Sequence, residues 1–497
     1  MAQSDGPWKM YIDGKWVDST KRREVINPAT GEPFTDVPEA DTSHIDQAVA
    51  AARRAQGPWG RKSPVERAVY MRKIVDLLKR DTEQLAQIIT REMGKPISEA
   101  RGEAGGGAVG FIEYYMEMAR RIQGEILPSD VAEEQILIQR VPAGVVAAII
   151  PWNYPAALVS RKVGPALIAG CTVVLKPHEM SPLSALFMAQ LFDEAGLPPG
   201  VVNVVTGQGE TVGAHLSRSK DVDLISMTGS VPTGRTIMIE AAKNLKPVSL
   251  ELGGKAPLIV MDDADLDLAV KNAITSRFMN CGQVCIANER TLVHQDVYQE
   301  FVDRFVAMAK TLRVGDPTLA ETDIGPKVSL EELEKVEAMV EDARKGGVKV
   351  LMGGARPSPL PTPKGFWYSA TVLTGASPDM PIMQKEIFGP VVPIVPFKNF
   401  DEAVKISNDS TFGLSAYLFT NDFQKIMRSM RDIDFGELYV NRVGPESLQG
   451  FHIGYRNSGL GGDDGIHGLD AYLKKKTCYL NYGDVPATAI MPYGRKH

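Results

Sequence analysis

From residue 145 onward, short apolar runs alternate with longer stretches whose apolar residues recur at helical spacing. The runs at 145–150, 172–175, 201–205, 224–227 and 248–250 are rich in Val, Ile and Leu, and between them lie 158–170, 182–195, 211–217 and 233–243. Strands covered by helices on both faces read as continuous apolar runs, so this rhythm predicts βαβ units and a doubly wound parallel sheet. Leu197-Pro198-Pro199-Gly200 stops one helix just before a strand, and Ser181-Pro182 opens another with a capping residue and a proline in its first turn. Upstream, 45–55, 65–80 and 82–93 carry the helical period and charged surfaces, consistent with helices packed on that sheet. A second alternating region begins near Ala256 and runs through 292–294, 297–312, 330–345, 348–351, 370–373, 391–396 and 400–409, which predicts a second α/β domain. Prolines at every second position make 357–364 a loop. Segments 123–139 and 470–482 fit neither domain; they read as strand-like edge elements, and exposed edges favour pairing with another chain. The expected layout is therefore 1–122 with 145–254 as one domain, 255–469 as the second, 123–144 with 470–483 as a small β oligomerisation element, and 484–497 as a polar tail.

Composition narrows the class. With 497 residues, 44% hydrophobic and 23% charged, the chain is an ordinary soluble globular protein too long for one core. Its 55 basic and 61 acidic residues are interspersed and sum to −6, so no basic face is offered to nucleic acid. The first seventeen residues hold no apolar stretch of signal-peptide length, and the longest apolar run, 141–150, is far short of a membrane span. A cytoplasmic protein that engages no membrane is expected. Four cysteines are too few for a disulfide framework and read as reduced thiols. Cys281 and Cys285 are four apart, a spacing that suits one helix face, but histidine is scarce and no second Cys/His pair lies nearby; no metal site is expected.

Chemistry concentrates in two runs about thirty residues apart. Phe278-Met279-Asn280-Cys281-Gly282-Gln283-Val284-Cys285 offers a thiol nucleophile, and Leu250-Glu251-Leu252-Gly253-Gly254-Lys255 a carboxylate base. A thiolate adds to a carbonyl faster than water does, and a nearby carboxylate can later activate the water that releases the acyl group. Two glycine-rich junctions, 207–213 and 228–234, stand where a strand turns into a helix, the place where free N–H groups cradle phosphate. In the first, the third glycine comes one residue late for the common dinucleotide fingerprint; alone, either junction reads more readily as a plain turn. Without a redox cofactor, the same thiol would suit a cysteine hydrolase or acyltransferase.

In order and spacing, the two runs match motifs of the NAD(P)-dependent aldehyde dehydrogenase superfamily, which the chain resembles almost from end to end. The resemblance implies that Cys285 is the nucleophile, that Glu251 activates water, and that the Asn153 amide holds the oxyanion with the Cys285 N–H. It implies a Rossmann-like cofactor domain binding NAD, with Gly229 and Ser230 at the pyrophosphate, Gly209 and Gly213 at the first junction, and Ile149, Pro151, Trp152 and Leu252 around the dinucleotide. Lys176 and Glu179 would hold the adenosine ribose, and a carboxylate there would repel a 2′-phosphate, making NADP the poorer cofactor. Glu386 would bond the nicotinamide ribose and Phe388 would back the ring. Within the superfamily the chain is most similar to bacterial lactaldehyde/glycolaldehyde dehydrogenases, through stretches such as Tyr11-Ile12-Asp13-Gly14 and Gln449-Gly450-Phe451-His452. That likeness places Arg161, Glu446 and His452 around the 2-hydroxyl of a small hydroxyaldehyde. Val443-Gly444-Pro445 departs from those relatives, which keeps succinic semialdehyde and aromatic aldehydes open. A homo-oligomer, dimer or tetramer, is expected.

Overall fold

Five parallel strands form the centre of one sheet, in the order Val248–Glu251, Leu224–Thr228, Val145–Ile149, Thr172–Lys176, Val202–Val204, in a computed structural model that describes residues 7–483. These are the strands the apolar pattern picks out, and Val145–Ile149 and Thr172–Lys176 are buried at every position. Val145–Ile149, first in sequence, lies in the middle, so the strand order switches there and a crevice opens beyond its C-terminal end. Antiparallel additions absent from the alternating pattern flank this centre: the hairpin Met10–Ile12/Lys15–Val17 beyond Val202–Val204, and Gly459–Leu460 beside Val248–Glu251.

Leaving Glu251, the chain passes through four residues into Ala256–Val260, a central strand of the second sheet. That sheet runs Lys349–Met352, Thr371–Thr374, Val391–Phe397, Asn288–His294, Ala256–Val260, Ser415–Phe419, Glu437–Val440, parallel except for its first strand. Segments 123–139 and 470–482 do contribute strands: Glu125–Pro128, Glu134–Pro142 and Leu473–Asn481 make a separate antiparallel sheet. Its side chains Ile126 and Tyr479 are 72% and 67% exposed. The expected tail, 484–497, lies outside the described residues, and no helix among the described ones is long and apolar enough to cross a membrane.

Two local expectations differ. Ser181 does not cap the helix Leu183–Glu194; its hydroxyl donates to the Trp152 carbonyl at 3.1 Å. That helix starts in the interior, where Glu92 reaches across from Thr82–Met93 and accepts from the N–H groups of Leu183 (2.6 Å) and Ser184 (3.0 Å). The stretch expected as a helix over 211–217 opens as a wide turn, Gly209–Gly213, before regular helix at Ala214–Arg218.

Candidate active site

Helix Leu266–Phe278 delivers the thiol loop, and Asn280 (φ 52°), Cys281 (φ 55°) and Gly282 (φ 70°) turn it sharply through the left-handed region. The two thiols therefore do not share a helix face. Cys281 is sealed in the core of the second sheet, where burial pushes its thiol up to about 12; Cys285 is half-buried and lines a cleft of about 650 Å³. A thiol kept protonated among apolar groups is inert, so of these two Cys285 is the thiol open to a molecule in the cleft. Arg277 braces the loop by donating to the carbonyl of Gly282 (2.6 Å) and to Glu289 (3.0 Å).

Asn153 lies just past the end of Val145–Ile149. Its Nδ2 donates to the Gln283 carbonyl at 3.0 Å, which ties the amide to the thiol loop and leaves a second N–H for the cleft it lines. From behind, Lys95 Nζ and Asn280 Nδ2 both donate to the Asn153 carbonyl at 3.0 Å. Lys95 is also paired with buried Glu103, whose other oxygen accepts from Ala156 (2.9 Å) and Ala157 (3.2 Å) and so caps helix Pro155–Ala169. No sequence motif pointed to this Lys95–Glu103 support.

Glu251 ends its strand 2% exposed, and neither carboxylate oxygen accepts a hydrogen bond from the described residues. Burial pushes it up to about 8, an effect partly offset by His452, whose Nε2 lies 3.5 Å away. Gly254 lets the base strand and the thiol loop touch: a Cβ there would meet the Cys285 carbonyl oxygen at 2.3 Å.

The same cleft continues along Pro151, Trp152, Thr228, Gly229, Ser230, Leu252, Glu386 and Phe388. Ser230 caps the twelve-residue helix Val231–Ala242, whose N-terminus faces the cleft, and the buried Thr228 hydroxyl has no partner among the described residues. Free N–H groups and an unpaired hydroxyl at one spot suit a pyrophosphate, so the residues present fit a dinucleotide. Glu386 accepts from the Gly254 N–H at 2.8 Å, and burial pushes it up to about 7. Phe388 (φ 55°) stands edge-on to Trp152 at 5.4 Å. Glu289, paired with Lys255, accepts from the N–H groups of Ile387 (2.8 Å) and Phe388 (3.1 Å), which joins this loop to the thiol loop through Arg277. Five expected cofactor residues do not line this cleft. Lys176 sits one strand over, in register with Ile149, and pairs with Glu179 at 2.8 Å. Burial opposes the Glu179 carboxylate, yet Lys176 and His178 outweigh it and hold it at about 2. Gly209 and Gly213 form the wide turn, and Ile149 packs into the core beneath.

At the far end lie Phe111, Arg161, Ile286, Pro445, Glu446 and His452. Arg161 is buried: it forks onto Asp464 (3.0 and 2.7 Å), also pairs with Glu446, and lies 4.7 Å over the Phe111 ring. Beside it Lys162 is paired with Asp463 at 2.6 Å. His452 Nδ1 meets Glu437 at 3.0 Å. Asp464 and Glu437 went unnoticed in the sequence because nothing local marks an acid whose partner lies fifteen or three hundred residues away.

Known proteins share this sequence and fold. The chain is 42% identical over 477 residues to a 3,6-anhydro-alpha-L-galactose dehydrogenase of Vibrio sp. (strain EJY3), covering 96% of this chain and 99% of the relative. It is 40% identical over 477 residues to the D-glyceraldehyde dehydrogenase (NADP(+)) of Picrophilus torridus (95% and 96% covered). The crystal structure of lactaldehyde dehydrogenase from Escherichia coli superposes with a TM-score of 0.93 at 41% identity, covering 96% of this chain and all of that one. The family model described as aldehyde dehydrogenase family matches residues 16–478, and the chain belongs to that family: it is an aldehyde-oxidising enzyme dependent on a nicotinamide dinucleotide.

Proposed function

We propose that this enzyme oxidises small, neutral, hydroxylated aldehydes, 2-hydroxyaldehydes such as lactaldehyde and glycolaldehyde, to free carboxylic acids, with NAD preferred over NADP. The observation that carries the substrate reading is the polar wall of the cleft that Cys285 lines, where Glu446 and His452 offer partners for a hydroxyl while Arg161 is already forked onto Asp464. A second carboxylate, as in succinic semialdehyde, would find Arg161 and Lys162 both engaged and the acids Glu446, Asp463 and Asp464 close by. Glu179, ionised beside Lys176, supports the preference for a free ribose 2′-hydroxyl.

In the proposed cycle, the Cys285 thiolate adds to the aldehyde carbon while the Asn153 amide and the Cys285 N–H stabilise the oxyanion. When bound, the dinucleotide supplies the acceptor for the hydride that leaves this carbon. The acyl group is left on sulfur as a thioester, and Glu251 takes a proton from the attacking water, so that the acid departs and the thiol is restored. Glu386 and Phe388 orient the ring end, and Gly229 with Ser230 seats the phosphates.

The same reading assigns 1–122 and 145–254 to cofactor binding, 255–469 to catalysis, and 123–144 with 470–483 to self-association. The exposed Ile126, Leu127, Tyr479 and Leu480 on the third sheet support the last; a monomeric mass in solution would contradict it. Free thiols at all four cysteines suit the cytoplasm. The test of function is dinucleotide reduction, followed by absorbance, with L-lactaldehyde, glycolaldehyde, propionaldehyde, succinic semialdehyde and benzaldehyde, each with NAD and NADP. Hydrogen bonds to charged partners contribute about 1.5–3 kcal/mol, so L-lactaldehyde should exceed propionaldehyde roughly 10- to 100-fold in kcat/KM. Fastest turnover of succinic semialdehyde or benzaldehyde would overturn the pocket assignment.

A further inference from the structure

His452 is fully enclosed, and both ring nitrogens face carboxylates: Nδ1 lies 3.0 Å from Glu437 and Nε2 3.5 Å from Glu251. An ionised carboxylate only accepts, so Glu437 at Nδ1 with Glu251 facing Nε2 favours the ring that carries both protons and a positive charge. Glu437 is itself fixed, since Ser415 donates to its second oxygen at 2.6 Å. Glu251 lacks any hydrogen-bond donor among the described residues, and an unaided carboxylate in that position would be neutral. The other cations nearby are engaged, Arg161 on Asp464 and Glu446, Lys162 on Asp463. His452 is the cation left to face Glu251.

We propose that Glu437 is a positioning residue for thioester hydrolysis: it holds His452 as an imidazolium, and that charge favours the ionised form of the base Glu251 against its burial. This assigns His452 a role beyond bonding a substrate hydroxyl, and it rests on Glu251 being the hydrolytic base. The groups facing His452 are Glu437, Glu251 and Cys285, with Asp464, Arg161 and Glu446 beyond. Burial works against the imidazolium, but Glu437, Glu251 and the Cys285 thiol outweigh it and hold His452 well above its ordinary value.

Rapid mixing separates the first burst of NADH, which reports addition and oxidation, from the steady rate, which reports hydrolysis once that step is slow. In Glu437→Gln the burst should persist while the steady rate at pH 7 falls at least tenfold. The acid limb of the steady rate should move up by about one pH unit or more, with activity recovered at alkaline pH. Propionaldehyde and L-lactaldehyde should show the same shift, because the substrate hydroxyl takes no part. His452→Gln should reproduce the shift and serves if Glu437→Gln fails to fold. An unmoved pH profile, a loss equal at every pH, or a loss confined to KM for L-lactaldehyde overturns the proposal. So does a shift in the burst rate alone, which would assign the imidazolium to Cys285. If Glu251→Gln gives no burst followed by arrest, the reading of Glu251 as base fails instead.

Discussion

Gly254→Ala is a one-carbon test of whether the base strand and the thiol loop need to touch. A Cβ at this position would lie 2.3 Å from the Cys285 carbonyl oxygen, where contacts of this kind essentially never fall below 3.0 Å. The oxygen must therefore recede by at least about 0.7 Å, the difference between those two values. The Cβ is fixed by the backbone and the oxygen belongs to it, so no side-chain rotation relieves the clash, and the shift is passed to the Cys285 sulfur and N–H. A misplacement on the order of 1 Å can lower a rate about 100-fold, so kcat/KM for L-lactaldehyde should fall roughly 10- to 100-fold. Gly253→Ala is the matched control. Its Cβ would meet Glu386 Oε2 at 2.6 Å, the far end of a side chain that can move, so kcat should fall less while KM for the dinucleotide rises. Steady-state kinetics in both substrates, with a thermal melt to confirm folding, measure the pair. A folded Gly254→Ala enzyme within threefold of wild type, or a Gly253→Ala enzyme that loses more kcat, would refute the reasoning.

Other perturbations reach other parts of the site. Asn153→Ala removes one oxyanion donor and should slow the NADH burst about 100- to 1,000-fold while Cys285 still reacts with an alkylating agent; an unaltered burst would exclude Asn153 from that role. Glu251→Gln should release about one NADH per site and then nearly stop, whereas wild-type hydrolysis should climb with pH through about 8 as the buried carboxyl ionises. Glu289 is opposed by burial, but Lys255 and Arg277 outweigh it and hold it at about 2, below the roughly 4.3 of a free glutamate. Its contribution to stability is thus present above that free value and lost as pH falls toward 2. Glu289→Gln should cost about 3–5 kcal/mol at neutral pH in urea titrations, with the gap to wild type narrowing below pH 4.

The parallel strands were legible because a strand covered on both faces must be apolar throughout, and Val145–Ile149 and Thr172–Lys176 meet that demand. That Cys285, Glu251 and Asn153 would meet in one cleft was legible because each sits in a short motif that carries the family resemblance. What surrounds them was not. Lys95 and Glu103 lie eight residues apart and look like ordinary surface charges until folding encloses them behind Asn153. Glu437 lies on the edge strand Glu437–Val440, where an acid is unremarkable, and only the return of His452 gives it a partner. The spacing of Cys281 and Cys285 suggested a shared helix face; two non-glycine residues in the left-handed region abolished it, and that conformation depends on tertiary bracing.

The short strand Gly459–Leu460 has a consequence for how the molecule is made. It pairs with Leu250 and Glu251, while the Ser458 carbonyl accepts from Leu252 at 2.8 Å, and Asp463 and Asp464 arrive with it to meet Lys162 and Arg161. During synthesis the strand that ends in Glu251 is complete some two hundred residues before the segment that covers its edge. Until then a growing chain has an open sheet edge, Lys162 without its acid and Arg161 without its fork onto Asp464, so it is prone to wrong pairing. A chain cut short before residue 459 would thus carry Cys285 without the segment that covers the edge of the Glu251 strand and brings Asp463 and Asp464 to their partners.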